Sequence, residues 1–205
     1  MSVNVQPDRY AWPAATEGDI TITCSRIARH LSRAKAGVIG LLPVAGPLAA
    51  PAPLGPFLSR LALALVDFVA GDVALVDAWT TWPAGPPHLP EDDGREDAEK
   101  KARAPGSSRF REIHPRVLEV SPPPCDDAAS AAVALQNTVA VLRRGVSVAL
   151  VHLGGYAPAG TAPASLILAD GVVMMVPPRQ ARRREVMGLL EHIAPAKRLG
   201  AILIG

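Results

Sequence analysis

A chain of 205 residues with 21 lysines and arginines against 19 aspartates and glutamates has a formal net charge of +2, too small a field to draw in nucleic acid or an anionic membrane. That length buries one substantial core, and the alternation of apolar strands with helices leaves no obvious place for a second domain. Cys24 and Cys125 stand far apart without metal-type spacing, so reduced thiols in a cytoplasmic protein are expected, with neither a metal nor another cofactor implied.

Residues 1–17 read as a polar N-terminal extension holding Pro7 and Pro13, without the basic-then-apolar order of a signal peptide. Residues 18–205 read as a single domain. Its first helix is expected from about Gly18 to Ala34, where Ile20, Cys24, Ile27, His30 and Leu31 fall on one face. Core strands are expected at 37–42, 72–77, 117–120, 146–151, 171–176 and 200–204, with helices at 57–70, 127–144, 160–169 and 179–193. Asp126 and Asp127 are N-cap candidates for the helix ending at Gly145. Continuous apolar strands of this kind are buried on both faces, which predicts an α/β three-layer sandwich around a mostly parallel sheet. Residues from about 84 to 112, charged and flanked by Pro/Gly turns, are expected to form a flexible insertion, either a mobile loop or a short exposed helix.

The run from Ala36 to Ser59 carries no charge and is long enough to suggest a membrane span. Pro43, Pro47, Pro51, Pro53 and Pro56 interrupt it, so a strand followed by a loop is expected and no membrane insertion. Strand, Gly/Pro/Ala-rich stretch and apolar helix are laid out as in a P-loop protein. An active loop of the form G-x-x-x-x-G-K-[ST] cradles phosphates with backbone N–H groups, neutralises them with lysine and holds magnesium through its hydroxyl. Here the run from Gly46 through Gly55 to Phe57 contains four prolines, and no lysine occurs between Lys35 and Lys100. Proline has no N–H to offer an anion.

At these residues the chain resembles the bacterial tyrosine kinases of capsule and exopolysaccharide assembly, relatives of the partitioning ATPases. The resemblance runs from about Thr16 to Gly205. Residues 59–65 are similar to the helix after the family's P-loop. Residues 73–83 resemble its acidic motif, apolar strand-D-x-D-x-x-x-P, with Asp77 matching the first aspartate and Trp79 replacing the second. Residues 148–155 resemble the Walker B strand, with His152 where the family has aspartate. Segments 164–170, 171–176, 182–186 and 199–205 follow the family's closing order of helix, strand, helix, strand.

Read through that resemblance, Gly46 and Gly55 mark a vestigial P-loop, Asp77 a vestigial acidic position and His152 the Walker B position. The expectation is a protein that is not an enzyme, with no catalytic residue, bound cofactor or metal. Taken alone, Asp77 is expected to accept backbone N–H bonds, and His152 to play a structural part rather than serve as base or metal ligand. Nothing in the sequence brings Cys125 and His152 together as a thiol nucleophile. The family's kinases carry E-x-x-R-x-x-R ahead of the P-loop for ring-like self-association. Arg26 and Arg29 match its arginines and Thr23 replaces its glutamate, so half the ionic complement for ring formation is lost; a solvated helix face is the expectation, with docking to a different acidic subunit or a homo-oligomer left open. Arg179 and Arg182–Arg184 read as a solvated helix start. The tyrosines are Tyr10 and Tyr156, and no counterpart of the family's tyrosine-rich acceptor tail is expected.

The function implied is a regulatory or scaffold protein of polysaccharide biosynthesis and export. It would contact a membrane polysaccharide co-polymerase or export subunit, or an active kinase or ATPase paralogue, at the cytoplasmic face of the inner membrane. The alternative is a partitioning-type ATPase whose divergent nucleotide site switches its assembly.

Overall fold

Among the described residues, seven strands form one sheet in the order β3-β4-β2-β5-β1-β6-β7, in which every neighbouring pair is parallel except β3 and β4. The computed structural model describes residues 17–44, 55–77, 108–125, 127–153, 164–176 and 181–203. The strands are β1 (Val38–Pro43), β2 (Val73–Asp77), β3 (Arg109–His114), β4 (Val117–Ser121), β5 (Val148–His152), β6 (Gly171–Val176) and β7 (Arg198–Leu203). The helices are α1 (Glu17–Arg33), α2 (Gly55–Val66), α3 (Ala128–Gly145) and α4 (Arg183–His192).

Every residue of β1 and β5 is buried, because helices cover both faces of the sheet. Alternate side chains divide into two cores. Ile39, Leu41, Leu75, Leu150 and Met175 point with Cys24, Ala28, Leu31, Leu61 and Leu65 into the layer of α1 and α2. Val38, Leu42, Val76, Val151 and Met174 point with Leu135, Val139 and Leu142 into the layer of α3, against which Val186, Leu189 and Leu190 of α4 also pack. This is the three-layer sandwich expected. At Gly40 side chains crowd closely: a Cβ there would lie 2.9 Å from Leu153 and 3.2 Å from Ala169.

Local chemistry sets the element ends. Asp127 caps α3, accepting from the N–H groups of Ala129 and Ser130 at 2.9 Å each, as its side chain predicts. At the start of α4, Glu185 accepts from the Arg182 N–H at 2.8 Å and offsets the exposed arginines of that turn. α1 buries Cys24, Ala28 and Leu31, whereas His30, expected on the same face, is exposed and its Nε2 lies 3.1 Å from the Leu199 carbonyl on β7.

Three expectations change. Residues 109–112, the end of the expected flexible insertion, belong to an edge strand, Arg109–His114, hairpinned to β4; positions 84–107 of that insertion lie outside the described residues. Of the helix expected at 160–169, the described part is a four-residue 3-10 helix, Ala164–Ile167. The helix expected at 179–193 is described from Arg183 to His192. The extension 1–17 lies outside the described residues up to position 16. Among the described residues no helix is long and apolar enough to cross a membrane.

A polar clamp ties the two cores' strands to α3. Asp170 accepts from both terminal nitrogens of Arg143, at 2.7 and 3.1 Å, and from the Val38 N–H at 2.8 Å. Partial burial pushes this carboxyl's pKa up, but the Arg143 and backbone bonds outweigh it and hold the value below the ordinary range. A depressed carboxylate contributes stability above its unfolded pKa, near about 3.9, and that contribution is lost as pH falls through the lower folded value. Asp170→Asn is therefore expected to lower unfolding free energy by about 1 kcal/mol at pH 7, half-exposed as the pair is, and to narrow the gap to wild type below pH 4. Urea denaturation at pH 7 and pH 3 checks both.

Candidate functional site

The carboxyl ends of parallel strands are where open α/β sheets collect ligands, because the loops leaving them converge there. In this sheet β1, β2 and β5 are consecutive neighbours in the centre, and their ends bring together Pro43 and Val44, Asp77, and His152 and Leu153. The chain holds these ends in register: the Leu153 N–H donates to the Leu41 carbonyl at 2.9 Å, and the Val44 N–H to the Met175 carbonyl at 2.9 Å. Asp77 and His152 are register partners. The His152 imidazole is 2% exposed and its Nδ1 stands 3.4 Å from Oδ1 of Asp77, whose side chain is 34% exposed.

Sequence reasoning placed both residues at strand ends and treated them separately. The structure pairs them. Asp77 faces an imidazole, while the following loop from which it was expected to accept backbone bonds lies outside the described residues, and His152 is buried beside a carboxylate that can fix its tautomer. Gly55 and Pro56 open α2 and are exposed. Gly46 lies outside the described residues, as does Tyr156.

The family that the sequence resembles uses magnesium nucleotide, and the donor set here matches magnesium poorly. Magnesium demands oxygen ligands in near-octahedral array, whereas imidazole suits softer metals. At this edge the Walker B position presents an imidazole, and that imidazole faces the Asp77 carboxylate. Residues 43–58 contain no serine, threonine or acidic residue to supply a further side-chain oxygen. Among the described residues no group of three or more His, Cys, Asp or Glu side chains is arranged to hold a metal ion.

The other sequence candidates lie elsewhere. Arg26 and Arg29 are exposed on α1, where with Thr21, Ile22 and Ser25 they line a shallow depression of about 300 Å³. The Arg29 guanidinium also sits 5.6 Å from the ring centre of Phe68, so part of its role is to brace α1 against the end of α2. Burial pushes the Cys24 thiol up, with the Arg60 charge opposing, which leaves it protonated and inert. Cys125 does not join His152. Its thiol donates to the Pro123 carbonyl at 3.4 Å and lines a groove of about 500 Å³ on the outside of α3, together with Ser108, Pro124 and Val133. That groove had no sequence signal, being built from a proline run and exposed apolar positions of a helix.

Comparison with solved structures decides what kind of fold this is. The chain superposes on the BceF tyrosine kinase domain with a TM-score of 0.58 at 14% identity, covering 92% of this chain and 76% of that one. The fold is P-loop kinase-like. It also matches the chimerical protein CapA2B2, with a TM-score of 0.60 at 18% identity over 88% of this chain and 82% of that one. No family model matches the chain, and no curated protein matches it. The expectation that the chain is not an enzyme is corrected by these neighbours: a tyrosine kinase domain is an enzyme, and it is this kind of domain that the chain's fold follows.

Proposed function

We propose that the chain works in capsule or exopolysaccharide biosynthesis and export as a kinase-like switch protein with a divergent nucleotide site at the carboxyl edge of its sheet. The observation that supports this reading is the placement of Asp77 and His152. These are two of the positions that the sequence resemblance equates with acidic motifs, and they meet on adjacent strand ends of a P-loop kinase-like fold. The switch acts on a partner: a membrane polysaccharide co-polymerase or export subunit, or an active kinase or ATPase paralogue. Arg26 and Arg29 on the exposed face of α1 meet an acidic surface of that partner, which holds the protein peripherally at the inner membrane. The assignment to polysaccharide assembly comes from resemblance, because a fold by itself does not name a task.

A loop without lysine gives up charge-assisted bonds worth about 1.5–3 kcal/mol each, so nucleotide binding is expected to be weak. Calorimetry with ATP should show saturable binding with a Kd on the order of 0.1–1 mM. Asp77→Asn should weaken it at least about fivefold, because the imidazole loses its orienting carboxylate. No heat at several millimolar ATP would remove the nucleotide part of this reading.

A further inference from the structure

We infer that Asp77 positions His152 rather than a divalent cation, so that the carboxyl edge of the sheet takes its ligand without a metal. Two independent observations carry this. The Asp77 carboxylate lies 3.4 Å from Nδ1 of an imidazole that is itself 2% exposed, on the neighbouring strand and in register with it. A carboxylate held there is engaged by a ring nitrogen, and a hard cation competing for it would face a nitrogen donor it disfavours. Separately, the stretch that leaves β1 and enters α2, residues 43–58, brings no side-chain oxygen, so it offers none of the hydroxyl or carboxylate ligands that a hard cation prefers. A phosphate-bearing ligand at this edge would then bind without a bridging metal, with buried His152 and its partner Asp77 beneath it.

The inference deepens the kinase-type reading of this edge and rests on it for the identity of the ligand, whereas its metal content is tested by manganese alone. The free Mn²⁺ signal in electron paramagnetic resonance, followed as the full chain is titrated, should fall no further for wild type than for Asp77→Asn. His152→Asp, which restores the missing carboxylate, should gain a manganese site at least tenfold tighter, and adding Asp77→Asn to it should abolish that site. In the long-range ¹H–¹⁵N spectrum, the His152 ring nitrogens should shift on Asp77→Asn.

A wild-type manganese site removed by Asp77→Asn overturns the inference, as do ring signals unmoved by that substitution. A His152→Asp chain that is folded by circular dichroism and yet gains no site overturns the assignment of the imidazole as the cause. Should His152→Asp fail to fold, the comparison of wild type with Asp77→Asn decides by itself. Absence of ATP binding in all variants would count against the nucleotide reading and leave the manganese result standing.

Discussion

Arg116→Ala is expected to lower the unfolding free energy by about 3 kcal/mol, out of a total on the order of 5–15 kcal/mol for a domain of this kind. The guanidinium leaves the β3–β4 hairpin and collects three carbonyls at the far end of α2: Val66 through Nη1 at 3.2 Å, and Val69 and Gly71 through Nη2 at 2.7 Å each. A helix C-terminus presents unsatisfied carbonyls and partial negative charge, and a planar cation with several fixed donors answers both. The same residue's carbonyl accepts from the Val73 N–H at 2.9 Å, so the helix end, the hairpin and the first residue of β2 meet at one side chain. Lysine keeps the charge but cannot reach three acceptors at once, and Arg116→Lys should recover less than half of the loss. Urea titrations of both variants check this; a loss below about 1 kcal/mol in Arg116→Ala would mean that water replaces the arginine at little cost.

The second large effect belongs to the sheet centre. Leu150 is fully buried on β5, with Leu75 and Ile39 as its register partners on either side, and it packs into the core beneath α1 and α2. Leu150→Ala removes that contact and leaves a cavity between strands that cannot easily close, which costs about 3–4 kcal/mol. Val141→Ala on α3 deletes a comparable apolar group from a position that is 60% exposed and should cost less than about 0.5 kcal/mol. The contrast, read from thermal melts at matched concentration, separates burial from side-chain chemistry. Similar losses for the two would contradict the two-core arrangement.

The central strands were legible because burial on both faces writes itself as unbroken apolar runs, as in 148–151 and 172–176. The α3 start was legible for a different reason: Asp127 is a cap by its own chemistry. What stayed hidden depends on neighbours that sequence does not name. β3 reads RFREIH, charged on both faces, because an edge strand paired on one side has little apolar surface to bury and so shows no strand-like run. The start of β7 two residues earlier than expected is hidden in the same way, since Gly200 sits at φ +136° where the pairing with β6 slips.

The site was half legible. Asp77 and His152 each end an apolar strand, which sequence shows. Their adjacency follows from β5 lying between β2 and β1, an ordering set by long-range packing. Once the order is known, the pair explains why an imidazole is tolerated at 2% exposure: a carboxylate stands within reach of it.

The most direct test of the whole reading is an amide NMR titration of the ¹⁵N-labelled chain with ATP. The account predicts saturable shifts gathered at the carboxyl edge, at Val44, Asp77, His152 and Leu153, with the outer face of α3 unmoved. Shifts centred on Val133 and Cys125 in the α3 groove, with the carboxyl edge silent, would contradict it.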